Sequence, residues 1–230
     1  MSAGAAPRVA IVDYGMGNLF SVRQACEAAG LHPVVTSSPA DLLTADGVIL
    51  PGVGAFADAM HTLVDTGLAD ALRRVAHEGV PLLGICLGMQ LVMEESTEFG
   101  RHGGLGLIAG RVVRFPERSA NGASVKVPHI GWNRVCKTRG EDAASGLMKA
   151  SLLDGLEDGA FMYFVHSYYV VPDDPDVVCA SAEYAGVRFC AALCAGRVMA
   201  CQFHPERSGE KGLRIYQNMA SLIRDTTAHA

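Results

Sequence analysis

The sequence predicts an α/β protein with a largely parallel central sheet flanked by helices and antiparallel strands in the C-terminal half. Three observations carry this expectation. Short aliphatic and β-branched runs alternate with helical periodicity as far as Ile85, the pattern of strands buried on both faces by crossover helices. The run Gly84-Ile85-Cys86-Leu87-Gly88 then makes a tight turn from an apolar strand into a helical stretch. Beyond it, strand-like runs succeed one another with turns in place of long helices, which indicates antiparallel pairing.

Arg8-Val9-Ala10-Ile11-Val12 reads as a buried first strand ending at Asp13. Leu19, Val22, Cys26 and Ala29 fall at helical spacing, so a helix is expected over 18–29, with Gly30 as its stop. Strands are expected over 33–36 and 47–50, the latter closed by Pro51-Gly52, then a helix over 68–77 and a fourth strand over 81–85. In the second half, strands are expected over 110–115, 161–171, 177–183 and 188–193, and a closing helix over 211–224. The stretches 116–125 and 138–146 read as surface loops. One domain over 8–224 follows from the length, with a flexible N-terminus over 1–7.

Composition narrows the function. A net charge of −5 without any basic run argues against a nucleic-acid groove. No stretch reaches the ~18 apolar residues of a membrane span, and the first residues lack the charged and apolar regions of a signal peptide. The expectation is a cytoplasmic protein. Seven cysteines, an odd number, do not suggest a secreted disulfide framework. The tightest group, Cys190, Cys194, Cys201 and His204, fails as a metal site, since four strand residues separate Cys190 from Cys194 by ~13 Å. No metal and no cofactor are expected, and the cysteines other than Cys86 read as small buried apolar residues.

Cys86 is different. Its turn lies at the carboxyl edge of the sheet, where ligands bind in open α/β folds, and backbone N–H groups there stabilise a thiolate. A thiolate attacking an amide needs a base, an oxyanion site and a grip on the substrate. His204 in Gln202-Phe203-His204-Pro205-Glu206 is the natural base. Pro205 pushes it toward extended geometry, and residues two apart in an extended segment share a side, so Glu206 can orient its ring. The Leu87 N–H and a donor from Pro51-Gly52-Val53-Gly54 can form the oxyanion site. Gln90 lies one helical turn after Cys86 on the same face, either holding the polar end of a substrate or solvated.

These segments resemble the class I, triad-type glutamine amidotransferases. The resemblance rests on Gly84-Ile85-Cys86-Leu87-Gly88-Met89-Gln90 with Gln202-Phe203-His204-Pro205-Glu206, and it runs from Val9 to about Met219. It is strengthened by Asp13-Tyr14-Gly15-Met16-Gly17-Asn18-Leu19, Pro128-His129-Ile130-Gly131-Trp132-Asn133 and Phe164-Val165-His166-Ser167-Tyr168. The resemblance implies a flavodoxin-like fold and a Cys86 glutamyl thioester, with His204 shuttling protons and Glu206 orienting it. It implies that Gln90, Glu98, Ser167 and Tyr168 bind L-glutamine, and that the Gly52–Val53 strand needs remodelling before it donates. Spacing alone cannot choose Glu98 over Glu94 and Glu95.

The resemblance also places Trp132 at a partner subunit; on composition alone a lone tryptophan is more often core. Asn18 either faces that partner or simply caps its helix. No phosphate loop and no second catalytic domain are visible in the sequence. The resemblance therefore implies a heterodimer in which ammonia passes to a separate (β/α)8-barrel cyclase subunit. A glutaminase serving a different synthase and a silent partner-binding scaffold are the alternatives.

Overall fold

Val9 and Ile11 of the first strand point into one hydrophobic core and Ala10 and Val12 into another, all four fully buried. That alternation is the physical basis of the architecture, because a strand apolar on both faces needs helices on both. The computed structural model describes residues 6–118, 122–138 and 152–228. The loop expected over 138–146 lies outside the described residues save for Thr138, as do residues 1–5 of the expected N-terminal segment and part of the 116–125 loop.

Strands β1 (Arg8–Val12), β2 (His32–Thr36), β3 (Gly47–Leu50) and β4 (Leu82–Ile85) pair in parallel in the order β2-β1-β3-β4. Helices α1 (Leu19–Ala28) and α6 (Gly209–Ala228) cover one face, through Val22, Cys26, Ile215, Tyr216 and Met219. Helices α2 (Pro39–Leu43), α3 (Phe56–Asp65) and α4 (Leu68–His77) cover the other through Leu42, Phe56, Leu63, Leu68 and Leu72. The short helix α5 (Leu87–Leu91) follows β4 directly.

After α5 the chain builds a second sheet from β5 (Met93–Ser96), β6 (His102–Gly103), β7 (Ile108–Arg114) and β10 (Tyr168–Pro172), in the order β10-β7-β5-β6. The main sheet is extended by β13 (Val198–Cys201), parallel to β4, and then antiparallel by β12 (Val187–Ala195), β11 (Val178–Tyr184), β8 (His129–Lys137) and β9 (Ala160–His166).

Three features depart from the sequence reading. The run over 161–171 is two strands in different sheets, divided at Ser167, whose carbonyl accepts the Phe115 N–H at 3.0 Å. Buried and less buried residues alternate through the break without a slip, so the pattern conceals it. Helices α2 and α3 and strands β5, β6, β8 and β13 go beyond the elements expected; α3 has Ala55 at its N-cap, with no capping side chain there to announce it. Cys190 and Cys194 lie on opposite faces of β12, one in each core. A bulge causes this, since Ala180 and Ser181 pair with Ala192 and Cys190, leaving Ala191 extra. Among the described residues no group of three or more His, Cys, Asp or Glu could hold a metal, and no helix is long and apolar enough to cross a membrane.

Candidate active site

β4 and β13 deliver the two halves of the site to one sheet edge, paired in parallel with Ile85 opposite Cys201. Cys86 follows β4 with φ +55° and ψ −105°, a conformation that an L residue adopts only under constraint. Its N–H donates to the Cys201 carbonyl at 2.8 Å. The flanking glycines explain how the turn fits: a Cβ on Gly88 would lie 1.8 Å from the Leu50 carbonyl oxygen, and one on Gly84 2.8 Å from the Gly88 oxygen. The helix beneath Cys86 has only five residues, so its local N–H groups matter more than any long helix dipole.

β13 leads into Gln202, fully buried, then His204 and the 3-10 turn Pro205–Arg207. His204 Nδ1 lies 2.8 Å from Glu206 Oε1, with side chains 6% and 2% exposed. The pairing anticipated from the sequence forms, but only His204 is extended; Glu206 folds back in the turn. Burial opposes charging of His204, yet the Cys86 sulfur and the Glu206 carboxylate outweigh it and push its pKa up to about 10. His204 Nε2 is buried with no hydrogen-bond partner among the described residues.

The Gly52–Val53 strand, expected to supply an oxyanion donor, is closed onto Leu87. The Leu87 N–H points at the Gly52 carbonyl, 3.4 Å away, so the donor expected there is occupied by an acceptor. Tyr14, which the sequence reading did not single out, explains the fixed strand: its buried hydroxyl donates to the Pro51 carbonyl at 2.9 Å. A Cβ on Gly52 would lie 2.2 Å from that hydroxyl, so only glycine fits. Val53 is 45% exposed beside it.

Gln90 is buried rather than solvated, donating to the Tyr168 carbonyl at 3.1 Å and to Gln202 Oε1 at 3.2 Å. Gln202 in turn donates to the Cys86 sulfur at 3.7 Å. Glu98 is buried, and Oε2 accepts the Phe56 N–H at 2.7 Å at the start of α3, where a carboxylate meets unpaired helix donors. Glu94 is exposed and Glu95 pairs with Arg101, so burial separates Glu98 from the acids that spacing could not. Glu98 and burial both raise the Tyr168 hydroxyl, burial first. Ser167 and Tyr168 form the crossing between β9 and β10.

Asn18 caps α1, its Oδ1 accepting the Ser21 N–H at 3.4 Å, yet it is exposed and lines a small cavity with Pro51, Gly52, Val53, His204 and Glu206. Trp132 is 57% exposed on β8, beside Ile130 and, across the ladder, Tyr163 and Phe161. Trp132 is thus surface, not core.

A strained cysteine turn, a buried His–Glu pair and this doubly wound sheet define a class, and the chain belongs to the class-I glutamine amidotransferases, whose family model matches residues 10–221. It is 51% identical over 215 residues to an imidazole glycerol phosphate synthase subunit HisH of Geobacillus sp. (strain WCH70), covering 94% of this chain and 97% of that one. It is 48% identical to the subunit of that name from Syntrophotalea carbinolica, over 93% and 100% of the two chains. Its place within the class is therefore the HisH family of glutaminase subunits. Among solved structures, PurLQS from Thermotoga maritima shares the fold with TM-score 0.69 at 19% identity, covering 94% of this chain and 99% of that one.

Proposed function

We propose that the chain hydrolyses L-glutamine to glutamate and ammonia through a thioester on Cys86, and hands the ammonia to a separate (β/α)8-barrel cyclase that forms imidazole glycerol phosphate in histidine biosynthesis. The observation that carries this reading is the buried His204–Glu206 pair beside the strained Cys86 turn.

Cys86 thiolate attacks the side-chain carbonyl carbon of glutamine, forming the C–S bond and a tetrahedral oxyanion. His204, protonated under the pull of Cys86 and Glu206, gives its proton to the departing amine, and the C–N bond breaks to release ammonia. The neutral imidazole then takes a proton from water as the oxygen attacks the thioester, and the C–S bond breaks to release glutamate. Glu206 keeps Nδ1 of His204 engaged throughout. Gln90, Glu98 and the Ser167–Tyr168 segment hold the amino-acid end of the substrate.

The oxyanion donors are Leu87 N–H and Val53 N–H. With the Gly52 carbonyl turned toward Leu87, this requires the Gly52–Val53 peptide to rotate. Partner docking over the neighbouring exposed surface supplies the occasion. Trp132, Ile130 and Phe161 are large apolar side chains left exposed on β8 and β9, and large aromatic residues such as Trp132 suit an interface centre; the exposed Asn18 lines the cavity beside Gly52 and Val53. The reaction needs no cofactor, and a biosynthetic enzyme of this kind works in the cytoplasm.

An electrophilic glutamine analogue tests the chemistry: a single adduct on Cys86, blocked by glutamine, is expected. Labelling that ignores glutamine or falls on another cysteine would contradict it.

A further inference from the structure

Two buried histidines lie outside the triad and have no part in the chemistry above. Nδ1 of His129, on β8, lies 3.0 Å from Nε2 of His166, at the end of β9. The bonds around them fix where each proton sits. The Tyr168 carbonyl can only accept, so His166 Nδ1, 2.8 Å from it, carries a proton. A neutral His166 then has a lone pair at Nε2, and His129 Nδ1 donates to it. His129 Nε2 is left as an acceptor, with the Asn133 amide nitrogen 3.3 Å away. That amide is itself oriented, since Oδ1 accepts the Arg134 N–H at 2.8 Å and Nδ2 donates to the Glu183 carbonyl at 2.8 Å.

Every proton therefore points the same way, from Asn133 through both rings to Tyr168. An added proton on either ring would set two N–H groups against each other. Burial acts in the same sense, lowering His129 to about 4 and His166 to about 3.

The relay ends on the substrate side. The Tyr168 carbonyl takes a second bond from Gln90 Nε2, which also donates to Gln202 Oε1. With its nitrogen committed to two acceptors, the Gln90 amide cannot turn over, and Oε1 is the atom it offers to a ligand. The other end of the relay is on β8, one residue from the exposed Trp132.

We propose that His129 and His166 are positioning residues for glutamine: their matched neutral tautomers hold the Tyr168 carbonyl and the Gln90 amide so that the pocket presents an acceptor to the substrate ammonium group. The relay also ties the register of the exposed strand β8 to the pocket. This inference rests on the glutaminase reading and deepens it.

The competing explanation is packing alone, because His129 stacks on Tyr184 and Phe164 with ring centroids 4.1 Å and 5.1 Å away. Two substitutions separate them. His129→Phe keeps the ring and loses the N–H; His129→Asn loses the ring and keeps an amide N–H near the Nδ1 position. Steady-state glutamine hydrolysis of the complex is measured for both. The relay requires KM to rise about tenfold in His129→Phe, the size of one buried bond lost, with kcat within about twofold. In His129→Asn, KM stays within about threefold of the unmodified protein. A normal KM in His129→Phe overturns the proposal. Nitrogen-15 NMR of the imidazoles in the whole chain at pH 7 gives a readout free of turnover: both rings should carry their proton on Nδ1. A proton on Nε2 of either ring overturns the relay even if glutamine is hydrolysed, whereas the expected tautomers in a chain without turnover would leave the relay standing and sink the glutaminase reading.

Discussion

Glu206 Oε1 sits 2.8 Å from His204 Nδ1 although Pro205 alone separates the two residues. The proline holds His204 extended while starting the turn that folds Glu206 back, and both side chains are buried. Glu206→Gln keeps the shape but removes the charge that helps protonate His204. Glutamine hydrolysis in the complex should fall by about 10²–10⁴-fold. Single-turnover kinetics locate the loss in thioester formation; an unchanged rate would mean that the pair is structural.

Cys86→Ala should abolish glutamine-dependent synthesis in the complex, while synthesis from added ammonia survives. Loss of both would show that Cys86 supports docking or folding rather than nucleophilic attack.

The legibility of this site in the sequence was uneven for physical reasons. Cys86, His204 and Glu206 announce themselves because local rules act on them: a glycine-flanked turn and a proline that sets backbone direction. Gly88 was readable as a turn, but not that a Cβ there would collide with Leu50. The apolar strand runs over 8–12, 33–36, 47–50, 81–85, 110–115, 177–183 and 188–193 were legible, while the strand break at Ser167 was not, because a change of sheet leaves no mark on alternation. Tyr14, the His129–His166 pair and the closure of Gly52 onto Leu87 depend on partners far away in sequence. Periodicity carries no information about those.

Gly88→Ala should therefore be costly despite its small size. Its methyl group meets backbone, not a movable side chain, and overpacking of this kind costs about 1–3 kcal/mol or more. Urea unfolding should show the lost stability and labelling of Cys86 by the glutamine analogue should slow. Unchanged values in both would mean that the turn is more plastic than its geometry implies.

Trp132→Ala should weaken binding of the cyclase by about 2 kcal/mol, roughly 30-fold, if it anchors the interface. The isolated chain should keep its stability, since the side chain is 57% exposed. Titration calorimetry separates the two effects.

The neutral histidines give the fold an acid sensitivity. Both ordinarily titrate near 6.5, but in the native protein they resist protonation down to about 4 and 3. Below pH 6.5 the unfolded chain therefore binds more protons, and stability falls as pH drops from about 6.5 toward 4. Each histidine contributes a slope of up to about 1.4 kcal/mol per pH unit. His129→Phe should show a shallower decline of its urea midpoint over that range, and a slope identical to the unmodified protein would refute the assignment.

The central claim, that Cys86 releases ammonia for another polypeptide and waits on it, is tested most directly by glutamine turnover with and without the cyclase and its nucleotide ligand. With the Gly52 carbonyl occupying the Leu87 N–H, the isolated chain lacks that proposed oxyanion donor, and one such donor is worth about 10²–10³ in rate. Turnover should rise by at least about 10²-fold in the liganded complex. Equal turnover in both states would contradict the account.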